Sequence, residues 1–217
     1  VRLAPMRIDF IADVVCPWCW LGWLRLAKAR ALRPALATSV SWRAYQLDPF
    51  IPEGGVDRDA YMRARFPDPE ARAAAGERLR AAAADDGVEL RYDRITRQPN
   101  TAGAHRVIRW AQAQGGGEAA VGAAFRAYFE QGRDLGEPEV LADIGQAGGL
   151  DRMLVLELLS EGVDADAVRQ EHEAAADSGV GGVPFIVFDG RLAVAGADSP
   201  ERLAEAMDRA LAKRERG

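Results

Sequence analysis

The 217-residue sequence predicts an α/β chain: a βαβ unit, a large all-helical insertion and a closing ββα unit around a mixed central sheet. Three observations carry this. Strand-like alternation is confined to the two ends of the chain, helical periodicity dominates from Asp57 to about Ser178, and proline-led helix starts punctuate both regions. On this reading residues 1–48 and 180–217 form the core, and residues 49–179 form the insertion.

Met6 to Asp13 alternates, with Ile8, Phe10 and Ala12 on one face, and reads as the first strand. Val14-Val15 leads into Cys16, and Pro17 suits the first position of a helix that runs through Leu21, Leu24, Ala27 and Ala31 until Pro34 stops it. Val40, Trp42 and Ala44 alternate again. A strand, helix and strand with a short return default to a right-handed parallel unit. In the insertion, Asp68-Pro69 and Asn100-Thr101 are helix starts. Ala104, Val107, Ile108 and Ala111 mark one inner face, and Val121, Ala124, Phe125, Tyr128 and Phe129 mark another. Further helices are expected over 138–147, 151–160 and 164–177, with Gly115-Gly116-Gly117 as a loop. Val183 to Phe188 is almost wholly apolar and suits a central strand. Asp189-Gly190 turns it into a hairpin with Leu192 and Val194. Ser199 then caps a last helix with Pro200 at its first position and Leu203, Met207, Ala210 and Leu211 inward.

Hydrophobic residues make up 48% and charged residues 28% of the chain, enough for a packed interior and a solvated surface. The net charge of −5 argues against nucleic acid as a partner, which would want a basic face. No apolar run is long enough to cross a bilayer, and Val1 to Met6 holds no signal-peptide core, so a soluble, cytoplasmic protein without a membrane partner is expected. The only two cysteines sit three positions apart, which suits chemistry rather than stapling.

Cys16 falls at a helix N-terminus, where unpaired N–H groups and the helix dipole favour thiolate over thiol. It is therefore expected to be exposed and acidic. Cys19, one turn later and shielded, can reach the same sulfur and release a mixed disulfide. No zinc site is expected: only His105 and His172 could join the cysteines, and both are remote in sequence. Pro184 opens an apolar strand after Gly181-Gly182-Val183, where an X–Pro bond turns cis at modest cost and leaves the preceding backbone free to pair with an extended peptide. Trp18, inside the pair, tunes the cysteines and faces substrate, whereas Trp20, Trp23, Trp42 and Trp110 pack between layers. Asn100 is a helix cap first and a site residue second. His105 lies one step off the apolar stripe of its helix, either reaching over the thiol or bracing insertion helices, and His172 is structural.

Together, Asp13-Val14-Val15-Cys16-Pro17-Trp18-Cys19, Trp42-Arg43-Ala44-Tyr45-Gln46-Leu47-Asp48-Pro49, Asn100-Thr101 with Ala104-His105-Arg106, and Gly181-Gly182-Val183-Pro184-Phe185 resemble the DsbA-type thioredoxin superfamily. Ala127-Tyr128-Phe129, Gly132-Arg133-Asp134 and Gly196-Ala197 extend the resemblance over nearly the whole chain. More narrowly, the sequence resembles the FrnE-like branch, related to 2-hydroxychromene-2-carboxylate isomerases and kappa-class glutathione transferases. The resemblance implies a thioredoxin fold, Cys16 as nucleophile, Cys19 as resolving thiol and Pro184 as a cis-proline facing them. It also implies that the insertion caps the redox centre, and Pro17, Trp18, Val183, Asn100 and His105 are expected on the substrate side. The isomerase and transferase relatives carry serine where Cys16 stands, and Asp198-Ser199 replaces a more usual Gln-Pro pair.

Retention of both thiols points to a disulfide reductase or isomerase acting on a protein or small-molecule disulfide. The alternative is a glutathione-dependent isomerase or transferase acting on a small aromatic or polyketide-like molecule in a pocket made by the insertion. A redox-sensing binding module fits the same cysteines. No bound cofactor is expected, glutathione is a candidate co-substrate, and monomer and homodimer both stay open.

Overall fold

The computed structural model describes residues 4–215, so residues 1–3 and 216–217, assigned to the core by the sequence, lie outside the described residues. The chain divides into two compact units, Val1–Tyr45 with Glu171–Gly217, and Gln46–Gln170.

The first unit holds a four-stranded sheet of β1 (Met6–Ala12), β2 (Thr38–Ala44), β5 (Phe185–Phe188) and β6 (Leu192–Ala195), in the order β2-β1-β5-β6. β1 runs parallel to β2 in register from Met6↔Thr38 to Ala12↔Ala44, and antiparallel to β5 from Ile8↔Phe188 to Ile11↔Phe185. The sheet is therefore mixed, as a βαβ–ββα order requires. Met6, Ile8, Phe10 and Ala12 are fully buried on one face of β1, which their alternation foretells. Helix α1 (Pro17–Ala31) covers that face through Trp23, whose ring meets Phe10 edge-on at 5.2 Å. Trp42 of β2 stacks on Phe10 at 6.0 Å, and such pairs add about 0.5–1.5 kcal/mol beyond the area they bury. The buried stripe of α1 is Cys19, Gly22, Leu26 and Ala29, with Trp20 and Leu21 beside it; Ala27 and Ala31 face outward. Helix α9 (Pro200–Glu215) packs beside α1 and buries Leu203, Met207 and Ala210. Its cap is as expected, Ser199 Oγ accepting from Arg202 N–H at 3.3 Å.

The β5–β6 turn has positive φ at both Asp189 (52°) and Gly190 (65°) and is closed by Arg191 N–H on Phe188 C=O at 3.0 Å. The ladder resumes at Phe188↔Leu192, leaving Arg191 outside it. At the other edge, Glu171 Oε2 accepts from Ala44 N–H of β2 at 2.9 Å, while Arg43 bridges Asp9 (2.8 Å) and Glu171 (3.4 Å). A carboxylate on an edge strand's last N–H blocks further pairing there.

The second unit is mainly helical: α2 (Arg58–Arg65), α3 (Pro69–Asp85), α4 (Ala102–Ala113), α5 (Gly117–Phe125), α6 (Pro138–Ala147) and α7 (Arg152–Ser160). The division between the units falls within α8 (Ala165–Asp177). Asp57, Asp68 and Asp151 cap α2, α3 and α7 with side-chain hydrogen bonds. Val107, Ile108, Val121, Ala124, Phe125, Tyr128 and Phe129 are all fully buried, the faces that periodicity marks. Two features depart from an all-helical insertion. A two-residue ladder pairs β3 (Val56–Asp57) with β4 (Arg97–Gln98), and Arg126–Glu130 winds as a π-helical turn continuing α5. A ladder so short has no alternation to detect. Gly117 belongs to α5 rather than to the loop before it.

Candidate active site

β1 ends at Ala12, and the chain turns through Asp13-Val14-Val15 so that Cys16 N–H meets Asp13 C=O at 3.2 Å. Cys16 occupies the N-cap of α1 in an extended conformation (φ −90°, ψ 113°), and Pro17 takes the first helical position. Its carbonyl accepts from Cys19 N–H (3.0 Å) and Trp20 N–H (3.2 Å), while its side chain makes no cap bond. The first turn of α1 holds no acidic residue, so within the helix itself no carboxylate opposes the positive end of the dipole where the sulfur sits.

The Cys16 sulfur lies 3.7 Å from Val183 C=O, as donor to that carbonyl. The Val183–Pro184 peptide bond is cis, and Pro184 C=O accepts from Gly196 N–H at 2.8 Å. Pro184 is buried, Val183 and Pro17 are half-buried, and Trp18 is 40% exposed. Cys16 itself is only 5% exposed, which corrects the expectation of an open nucleophile: the Val183 carbonyl, 167 residues along the chain, stands against its sulfur. Cys19 is fully buried, as expected. Burial is the chief reason its thiol is held well above the ordinary cysteine range, and its hydrogen bond to Cys16 and the charge of Cys16 push the same way. A backbone hydrogen bond with Asp13 opposes this and the charge of Asp13 adds to it. Both cysteines are free thiols.

The cysteine pair, Pro17, Trp18, Val183 and Pro184 all belong to the first unit. Asn100 and His105 belong to the second. Asn100 tethers the entry to α4: its Oδ1 accepts from Ala102 N–H (2.9 Å) and Gln46 Nε2 (3.3 Å), and its Nδ2 donates to Ile51 C=O (2.6 Å). His105 is 1% exposed within a run of buried residues from Ala104 to Ile108, so it is enclosed rather than at the flank of its helix. His172 meets the Tyr45 ring edge-on at 4.9 Å, a packing role.

Two residues at the site escaped sequence reasoning. Asp13 is a buried acid (1% exposed) beside the thiols, signalled only by a carboxylate placed directly before Val14-Val15-Cys16. Gly22 sits mid-helix, where a Cβ would lie 3.0 Å from Pro184 Cγ; an isolated helical glycine was its only mark. Among the described residues, no group of three or more His, Cys, Asp or Glu side chains could hold a metal ion, and no helix is long and apolar enough to cross a membrane.

The profile of the DSBA-like thioredoxin domain matches residues 7–208. A protein described as a probable DsbA oxidoreductase from Streptomyces coelicolor is 30% identical, with a TM-score of 0.84 over 96% of this chain and 91% of that one. At 19% identity the likeness shows the fold alone: a 2-hydroxychromene-2-carboxylate isomerase superposes with a TM-score of 0.72 over 96% of this chain and 98% of that one. The cytosolic disulfide reductase DsbM from Pseudomonas aeruginosa, solved with GSH, does so at 19% identity with 0.59 over 96% and 97%. No curated protein matches the sequence.

Proposed function

Because the chain belongs to the DsbA-like thioredoxin domain family, we propose that it is a thiol–disulfide oxidoreductase of the FrnE-like branch, working as a disulfide reductase or isomerase. The observation that carries this is the pairing of Cys16, at the N-terminus of α1, with a Cys19 whose proton burial retains. The two thiols are thereby made unequal, as attack and resolution require.

In the proposed cycle the Cys16 thiolate attacks one sulfur of a substrate disulfide. The substrate S–S bond breaks and one substrate thiolate leaves. Cys19 then loses its proton and attacks Cys16 Sγ, breaking the mixed disulfide, releasing the second substrate thiolate and leaving a Cys16–Cys19 disulfide. Two external thiols, for which glutathione is a candidate, return the pair to dithiol. Pro17, Trp18 and the Val183–Pro184 backbone contact the substrate, and Asn100 and His105 are proposed as further substrate-binding residues, His105 as an imidazole that would stabilise a thiolate or shuttle a proton. A cytoplasmic poise of roughly −220 to −260 mV would keep the pair mostly reduced, which favours reduction and isomerisation over net oxidation.

The test is insulin-disulfide reduction beside scrambled-ribonuclease refolding, for the wild type and Cys19→Ser. Reduction should fall by about two orders of magnitude or more in Cys19→Ser, with mixed disulfides accumulating on Cys16. Activity that survives the loss of Cys19, or that needs glutathione and a small aromatic substrate, would replace this reading with the isomerase or transferase one.

A further inference from the structure

Gly22 lies one turn beyond Cys19 on the buried stripe of α1. A methyl group there would stand 3.0 Å from Pro184 Cγ, and 3.5 Å from both Pro184 Cβ and Phe10 Cζ. The nearest of these is tighter than ordinary carbon–carbon contact. The proline ring rests directly on the helix backbone, in space that any other residue would fill. Two further contacts hold the same segment: Gly196 N–H on Pro184 C=O at 2.8 Å, and Cys16 Sγ against Val183 C=O at 3.7 Å. The segment is thus held at Gly196, just past β6, and at Cys16, and its closest approach to the body of α1 falls at Gly22.

We infer that Gly22 is a positioning residue for thiol–disulfide exchange: by lacking a Cβ it lets Pro184 seat on α1 and so sets the distance between the Val183 backbone and the Cys16 sulfur. The inference rests on the redox reading above and deepens it. Glycine is among the poorest helix formers, so its place in the middle of a fifteen-residue helix is better matched to this close approach than to helix stability. Phe10 cannot yield readily, because it is fully buried between Trp23 and Trp42. The proline segment, which rests on exposed Gly181 and Gly182, is the side that moves.

The experiment compares Gly22→Ala with the wild type, alone and in a Pro184→Ala background that lacks Cγ. A shift of a few tenths of an ångström at a reacting group should slow exchange, read as kcat/KM for a peptide disulfide, by about tenfold. Alkylation of Cys16 by iodoacetamide at fixed pH should speed up severalfold, because the carbonyl covering the sulfur retreats. The melting temperature should hold or rise, since alanine is the better helix former. In the Pro184→Ala background the effect of Gly22→Ala on both rates should shrink to less than about twofold. If Gly22→Ala alone does not fold, recovery of folding in the double variant supports the inference and its absence overturns it. A lowered melting temperature with unchanged rates per folded molecule, or a tenfold effect that persists without the proline ring, also overturns it. Alkylation needs no turnover, so a wild type inactive on disulfides would sink the redox reading while the Gly22 comparison still stands.

Discussion

Cys16 and Cys19 differ by three positions in sequence and by a full change of environment. Cys19 is sealed in the core, and desolvation keeps its proton on beyond the pH, about 8.5, at which an unfolded cysteine releases it. The folded pKa lies above the unfolded one. The stability contributed by the protonated thiol is therefore whole below about pH 8.5 and is lost as pH rises through the folded value. In reductant, the melting temperature of the wild type should fall more steeply between pH 8 and 10 than that of Cys19→Ser, and parallel profiles would contradict this. At this scale the sequence was partly legible. The spacing of the thiols, Pro17 and the exposure of Trp18 follow from local rules. The burial of Cys16 and the role of Gly22 do not, because each is decided by Val183 or Pro184 more than 160 residues away.

Helix ends were the most readable elements. Asp68-Pro69, Pro138, Asp151 and Ser199-Pro200 begin α3, α6, α7 and α9 at or beside the positions that a cap residue or a first-turn proline indicates. The β3–β4 ladder and the π-helical turn were invisible because two paired residues and a single five-residue turn are too short to show a period. His105 is buried although it stands one step off the apolar stripe, because α4 is covered over five consecutive residues, Ala104 to Ile108. Beside it, Arg106 does work that no periodicity reveals. Its guanidinium donates to the carbonyl of Leu158 (2.6 Å) in the last turn of α7 and to that of Val163 in the loop beyond, and lies 5.2 Å from the Trp110 ring centroid. Desolvation holds its pKa below the usual arginine value. Arg106→Lys keeps the charge but loses the fork, and should cost about 1–3 kcal/mol in urea unfolding, since a single ammonium does not reproduce the bonds to both carbonyls. A loss below about half a kcal/mol would show that water replaces the fork.

The fold class, α/β with a helical insertion, was legible across the whole molecule because strand alternation appears only near the two ends. The unit formed from those ends carries Trp18, Trp20, Trp23 and Trp42, whereas Gln46–Gln170 carries Trp110 alone and helices α2 to α7. Tryptophan emission thus reports mainly on the first unit, whereas helical circular dichroism reports on both, with α2 to α7 adding the larger share. Tryptophan fluorescence and far-ultraviolet circular dichroism should give non-coincident thermal transitions, and a single shared midpoint would show one cooperative unit. The strand order β2-β1-β5-β6 has a further consequence, in time rather than space. β1 and α1 leave the ribosome early, but β5, the neighbour that completes the sheet beside β1, follows only after the helical residues between. At about 5–20 residues per second that wait is on the order of ten to thirty seconds. Throughout it both thiols are on a nascent chain without Val183 and Pro184, open to oxidants and to wrong partners. The helical unit, contiguous in sequence, can fold meanwhile. The cysteine pair, first of these elements to be made, is therefore enclosed only after the helical unit has been synthesised.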